Sequence, residues 1–295
     1  MTTTHVDVPS DFSQATGRIE LNNDGIGYVE SYDFSRANLS NESRIAAIST
    51  VASICYQSPK AAGSISLYNR LANESMGLPS SSFEFVPVLL TEGQFSDMKH
   101  IKGTTLTVTD KYGEWIEYEG DWYLITNLRA LMADVGDKAD QFFNTEEECA
   151  IIAKHFKVYQ AKIDIATRTQ YIRHRVSWQE LSRRYVSGKK SQFEFYISPK
   201  MRSVSYYLIE GHEGIDVGVQ DYLHLALGMY DNAIAKGVKP EEARRILPQN
   251  MYTTIWSAWQ PSQLDSYLAL RTDKHTQMEH RELAEAMKTL KENNG

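Results

Sequence analysis

The sequence predicts an α+β protein, a single large domain in which helices pack on an antiparallel sheet. Three observations predict it. Apolar residues recur at helical spacing in several capped segments, short runs that alternate or carry β-branched and aromatic residues lie between them, and 295 residues with 42% hydrophobic content suffice for a sizeable core.

Residues 1–28 are polar and rich in Asn, Asp, Gly and Thr, which predicts a loosely held arm ahead of a folded domain over 29–295. Ile45, Ala46, Ile48, Val51 and Ala52 give residues 41–55 a helical face, with Asn41 as its cap. A second helix is expected over 64–73. Residues 83–89, 105–109 and 115–125 alternate or carry β-branched and aromatic side chains, so they predict strands of one antiparallel sheet. Asn144, Thr145 and three glutamates then open a helix that runs to about 156.

Residues 157–165 read as a strand, and 167–178 lead into a basic segment. Residues 193–199 predict a short strand ended by Pro199. The longest helical pattern covers 217–236 and stops at Gly237; Pro240 starts the next helix, which carries Arg244 and ends near Pro248. Two more helices are expected over 262–271 and 274–292.

Composition excludes some classes. No apolar run approaches the roughly 20 residues that span a bilayer, and the polar start lacks a secretory pattern, so no membrane association and a cytoplasmic location are the expectation. Cys55 and Cys149 are too few for a disulfide framework or a cysteine-rich zinc site, and no metal is expected.

Charge is the informative signal. The chain carries a formal charge of −7, yet between 168 and 190 there are seven Lys or Arg residues and one acid, Glu180. Guanidinium forks suit bidentate phosphate contacts, so this segment predicts a site for phosphorylated ligands.

Within it, Arg173-His174-Arg175 followed by Glu180-Leu181-Ser182-Arg183-Arg184-Tyr185 resembles the signature of flavin-dependent thymidylate synthases. Six residues, Val176 to Leu181, separate Arg175 from Ser182, one fewer than the family pattern. Two later segments extend the resemblance: Ala243-Arg244-Arg245-Ile246-Leu247-Pro248, and the run from Leu270-Arg271 through Asp273, His275 and Gln277 to Glu279. The resemblance runs from about residue 42 to 285 and is poor between about 83 and 154.

The resemblance implies a homotetrameric enzyme with active sites at subunit interfaces. It would bind FAD, oxidise NADPH, and convert dUMP to dTMP with methylenetetrahydrofolate as one-carbon donor. By the same resemblance Arg173, His174, Arg175, Glu180 and His275 would contact the cofactor. Gln170, Arg173, Glu180, Ser182, Arg183, Arg184, Arg244 and Arg271 would hold the nucleotide. Arg271 would be the main catalytic group, a fixed cation that stabilises the ionised uracil. His275, four residues on, is expected one helical turn along the same face. Ser182 has no neighbouring base in the motif and is expected to bind phosphate rather than act as a nucleophile. No Gly-x-Gly-x-x-Gly turn is present, in keeping with a flavin held outside a Rossmann fold.

The sequence also departs from the family. Where an early histidine-bearing segment is usual, it has Ser75-Met76-Gly77-Leu78-Pro79-Ser80-Ser81-Ser82, with Met76 and Ser82 at the positions of flavin-side donors. Trp259, Gln260 and Ser266 fall near positions where the family often uses Asn or Arg, and Cys55 aligns with a small polar residue near the flavin. Two alternatives follow. One is a related flavin-dependent pyrimidine-nucleotide hydroxymethylase. The other is a nucleic-acid-binding surface over 168–196, with Trp178, Tyr185, Phe193 and Phe195 stacking on bases; the acidic overall balance argues against it, and no nucleic acid is expected.

Overall fold

Residues 157–164 mix apolar with polar side chains, residues 252–259 carry no charge, neither stretch contains a glycine, and they form two inner strands of the main sheet. The computed structural model describes residues 4–73, 78–184, 186–188, 191–210 and 213–293. Its strands are β1 (Gly17–Leu21), β2 (Gly27–Tyr32), β3 (Pro87–Thr91), β4 (Glu114–Tyr118), β5 (Asp121–Asn127), β6 (Lys157–Asp164), β7 (Ser177–Glu180), β8 (Ser205–Glu210), β9 (Glu213–Gly218) and β10 (Tyr252–Trp259). The first helices are α1 (Ser10–Ser13), α2 (Asn41–Tyr56), α3 (Ile65–Ala72), α4 (Glu92–Lys102), α5 (Val108–Lys111) and α6 (Leu128–Val135). They are followed by α7 (Glu146–His155), α8 (Ile165–Tyr171), α9 (Val219–Ala235), α10 (Pro240–Ala243), α11 (Pro261–Arg271) and α12 (Met278–Asn293).

The main sheet has five antiparallel strands in the order β1-β2-β6-β10-β7. Every residue of β10 is buried because both of its faces are covered. One face carries Val158, Trp256 and Ala258 into a core shared with α2, α7 and the second sheet. The other carries Tyr159, Ala161, Ile163, Ile255 and Trp259 against α11 and α12, where Leu283, Met287 and Leu290 pack. Each buried side chain of this kind contributes about 1.5–3 kcal/mol. The result is an α+β fold, as the element pattern predicts.

Caps fix the helix starts. Ser40, rather than Asn41, accepts from the Ser43 amide ahead of α2. Thr145 and Glu148 form a reciprocal capping box at α7.

Several expectations need correction. The strands between 83 and 127 do not join the main sheet but form their own sheet, β3-β5-β4. Residues 81–85 are a 3₁₀ turn rather than strand, with Phe83 and Phe85 both buried. Residues 105–109 are irregular and then helical, because the Thr107 hydroxyl accepts from the Asp110 amide and starts α5. Residues 193–199 form only an isolated bridge, Phe195 to Met251. Part of the stretch read as a loose arm is sheet: β1 pairs with β2 along its length, and Leu21 is buried.

Candidate functional site

The site forms where the central ladder runs out. β7 pairs with β10 from Ala258↔Ser177 to Ile255↔Glu180. The Leu181 amide then donates to the Thr254 carbonyl at 2.9 Å, and the Ser182 amide turns away to the Cys55 carbonyl of α2 at 3.2 Å. Below this turn, Asp164 caps α8, accepting from the Thr167 amide at 3.0 Å and its hydroxyl at 2.7 Å, which sets Arg168 on the first turns. The 244–251 segment closes the third side, with the Ile165 and Ala166 amides donating to the Met251 and Gln249 carbonyls.

These three segments enclose a cavity of about 410 Å³ whose polar lining includes Arg168, Glu180, Ser182, Arg183, Arg244 and Arg245. Glu180 is its only carboxylate. Arg168 holds one Glu180 oxygen through Nε at 2.9 Å and a second, closer Nη2 contact, while Thr253 Oγ1 donates to the other at 3.0 Å. Four guanidinium groups against one carboxylate leave the cavity cationic, and Arg244 and Arg245 are exposed at its edge. Such a cluster can take a phosphate dianion.

The motif residues do not all serve the cavity alike. Arg183 is buried, donating Nη1 to the Ser191 carbonyl at 3.0 Å and Nη2 to the Gln192 carbonyl at 3.4 Å, with Phe193 beneath it at 4.6 Å. Burial lowers its pKa, and its Nε has no partner. Arg183 therefore braces the 191–193 segment as much as it lines the cavity. Gly188 permits this, since a Cβ there would lie 2.7 Å from the Phe193 ring. Arg184 is exposed, 3.7 Å from Glu241, and is not part of the lining. Tyr185, Lys189 and Lys190 lie outside the described residues.

Arg271 is elsewhere. It closes α11 and donates Nε to His174 Nε2 at 3.0 Å, a contact that requires a neutral imidazole with its proton on Nδ1. Burial and then the Arg271 charge push His174 down to about 4. His174 packs edge-on to Tyr267 at 4.8 Å and near Trp259 and His280. His280 is fully buried, neither ring nitrogen has a partner, and burial, then Arg271 and His174, push it down to about 3. Gln170 donates to Gln277 at 2.5 Å, and Gln277 to Glu279 at 2.9 Å. Arg173 and Arg175 are exposed. His275 is not on the face of α11 as expected: the helix ends at Arg271, and the exposed imidazole sits on Asp273 at 2.8 Å.

So Glu180, Ser182, Arg183 and Arg244 come together, while Gln170, Arg173, His174, Arg175, Arg271 and His275 do not join them within one chain. Arg168, Arg245, Thr253 and His280 were not singled out by sequence. Arg168 was visible only as one charge in the basic segment, and Arg245 as a neighbour of Arg244. Of the departures, Ser82 is buried with its hydroxyl 2.5 Å from that of Ser80, and Met76 lies outside the described residues. Trp259 is buried and donates to Ser257 Oγ at 2.8 Å, Gln260 donates to the Tyr112 carbonyl at 2.6 Å, and Ser266 is exposed. The half-buried Cys55 thiol donates to the Glu180 carbonyl at 2.9 Å and accepts from Gln179 at 2.8 Å. The aromatics of the basic segment turn inward: Trp178 donates to the His174 carbonyl and packs on Tyr171, and Phe193 packs on Tyr230. No helix among the described residues is long and apolar enough to cross a membrane.

An α+β protein with an arginine-lined cavity at a sheet end is a nucleotide-binding candidate, and comparison makes the class specific. Residues 150–293, which hold all three motifs, match the family described as thymidylate synthase complementing protein. The flavin-dependent thymidylate synthase of Aquifex aeolicus is 31% identical over 145 residues, covering 46% of this chain and 45% of the relative. That of Thermotoga neapolitana is 32% identical over 130 residues, covering 44% and 58%. The chain thus spans about half the length of these curated relatives. Among solved structures, the UMP/dUMP methylase PolB from Streptomyces cacaoi, bound with 5-Br dUMP, is 20% identical with a TM-score of 0.36, covering 54% of this chain and 80% of its own.

Proposed function

We propose that the chain is a flavin-dependent thymidylate synthase that converts dUMP to dTMP. The observation that carries this reading is the cavity, where two motifs more than sixty residues apart deliver Glu180, Ser182, Arg183 and Arg244 to one cationic pocket. In this reading Arg244 and Arg245 bind the phosphate of dUMP, and the Ser182 hydroxyl donates to it. Glu180, tied to Arg168 and Thr253, fixes the wall beside the nucleoside.

Arg271 supplies a fixed positive charge next to the ionised uracil, and His174, neutral and accepting from Nε, orients it. Because Arg271 does not line the cavity of its own chain, the reading requires a second copy to complete the site. An apolar surface supports a homotetramer: Tyr222, Leu225 and Met229 on α9 are exposed, as are Tyr206, Tyr207 and Ile215 on the β8–β9 hairpin.

The cofactor calls for its own test of fit. Arg173 and Arg175 are exposed, and neither meets a carboxylate among the described residues, while His275 presents an exposed imidazole. This donor set suits the phosphates and ring edge of FAD, and Arg173, Arg175 and His275 would hold it. The flavin, reduced by NADPH, supplies reducing equivalents, methylenetetrahydrofolate the one-carbon unit, and the reaction is placed in the cytoplasm.

The test is an absorption spectrum of the purified protein with added FAD, then NADPH oxidation with and without dUMP, and product mass. Flavin bands, dUMP-dependent oxidation and dTMP are expected. A hydroxymethylated product would move the chain to the sister reaction. A protein that ignores both FAD and dUMP would end the proposal.

A further inference from the structure

The arginine-lined cavity holds more positive charge than one phosphate needs. Of its four arginines, Arg168 is committed to Glu180, which leaves Arg183, Arg244 and Arg245 with no carboxylate in contact among the described residues. A phosphate monoester carries about −1.5 to −2 at neutral pH, so a nucleoside monophosphate leaves roughly one positive charge unmatched. A second phosphate, joined through an anhydride, brings one more fully ionised oxygen and closes the difference.

The donors are also spread out rather than aimed at one point. Arg244 and Arg245 are consecutive in the 3₁₀ turn Arg244–Ile246, where side chains step by about 120° per residue, so the two leave the backbone in different directions although both line the cavity. Arg244 donates Nε back to the Glu241 carbonyl at 3.4 Å, whereas the Arg245 guanidinium has no partner among the described residues. Both are exposed, so the rim is open to a ligand longer than a monophosphate. Deeper in, Arg183 is only 7% exposed and its Nε is buried without an acceptor, a cost that an anionic oxygen of a ligand removes. The remaining wall, with Ile165, Leu181 and Met251, suits a sugar and the edge of a base. The volume of about 410 Å³ falls in the roughly 300–1,000 Å³ range of small-molecule sites.

We infer that the cavity binds a pyrimidine deoxynucleoside 5′-diphosphate more tightly than the monophosphate, so that dUDP competes with dUMP for one site. The inference rests on the reading of this cavity as the dUMP site and goes beyond it in naming a competing ligand. The inner phosphate meets Ser182, Arg183 Nε and Arg244, and the outer one meets Arg245 at the open rim. With dUMP both rim arginines turn to a single phosphate; with dUDP each has its own. Pyrimidine deoxynucleoside diphosphates therefore restrain turnover when they accumulate.

Calorimetry on the full-length protein with FAD added, in a chelating buffer free of divalent cations, compares dUMP, dUDP and inorganic pyrophosphate. dUDP should bind about tenfold or more tightly than dUMP, the gain of one charge-assisted contact. Arg245→Ala should bring the two nucleotides within about twofold of each other, since the arginines that remain serve one phosphate. Arg245→Lys, which keeps the charge, should keep dUDP ahead. dUMP binding with dUDP no tighter, or a preference untouched by Arg245→Ala, would overturn the inference and leave the dUMP reading standing. Pyrophosphate binding as tightly as dUDP would also overturn it, since the nucleoside would then add nothing. A protein that binds neither nucleotide would end both the inference and the reading beneath it.

Discussion

The two ends of the motif segment handle charge in opposite ways. Around Glu180 the fold gathers four arginines about an open cavity and leaves Arg244 and Arg245 in contact with water. Around His174, only six residues earlier, it presses two histidines into a ring of Tyr171, Tyr267 and Trp259 and lets one arginine touch the edge. The first arrangement stores positive charge for a ligand. The second keeps its histidines neutral, and it can do so only because burial makes protonation costly. Identical motif membership therefore says nothing about protonation state; the depth of each residue decides it.

The strongest way to break this contrast is to remove the arginine that touches the dry end. Arg271→Ala should lower the rate of dTMP formation by on the order of 10²–10³-fold in single-turnover measurements, with a smaller change in dUMP affinity. Near-normal turnover would remove Arg271 from catalysis. Next in size, Arg244→Ala and Arg245→Ala should each weaken dUMP binding by roughly 10- to 150-fold by calorimetry, the equivalent of one charge-assisted contact. Arg184→Ala, outside the lining, should change it by less than about threefold. Equal losses at all three positions would mean that the cavity does not discriminate among them.

The dry end is read by pH. His174 and His280 sit at about 4 and 3 in the fold, below the ordinary value of about 6.5 that the unfolded chain keeps. As pH falls below about 6.5 the unfolded chain binds these protons first, so stability is full above that value and is lost progressively down to about pH 4 for His174 and about pH 3 for His280. His280 alone should cost about 2 kcal/mol at pH 5. His280→Phe should flatten the fall in melting temperature between pH 7 and 5, and an unchanged slope would mean the imidazole is not buried. Within the lining, the smallest effect expected is Ser182→Ala, about fivefold in dUMP affinity for one neutral donor, with chemistry intact; loss of all activity would make the hydroxyl a reacting group.

Much of this was legible. The capped helices follow from local chemistry, as Thr145 with Glu148 and Gly237 after α9 illustrate, and β6 was read as a strand from a mixed stretch with Val158, Tyr159, Ala161 and Ile163. What failed was whatever depends on distant partners. Residues 105–109 have strand-forming side chains, yet no neighbouring strand is in reach, and the Thr107 hydroxyl decides for a helix start. Residues 17–21 look polar because only one edge of β1 is paired and its outward residues face water. In the site, the motifs named Glu180, Ser182, Arg183 and Arg244, which the fold does bring together. The Arg271–His174 contact spans 97 residues of sequence and left no periodic trace. Nor could the sequence separate Arg183, turned onto backbone carbonyls, from Arg184 beside it.

The strand order β1-β2-β6-β10-β7 also sets a timetable for synthesis. β1 and β2 emerge early and pair with each other, but β2 waits for residues 158–162 to add its second neighbour. β7 waits longer still: its ladder partner is β10, some seventy residues downstream, so the motif strand leaves the ribosome with an unpaired edge. The arginine-lined cavity does not have all its walls until Thr253 is translated. A message cut short before that point yields a chain that carries the signature and none of the geometry.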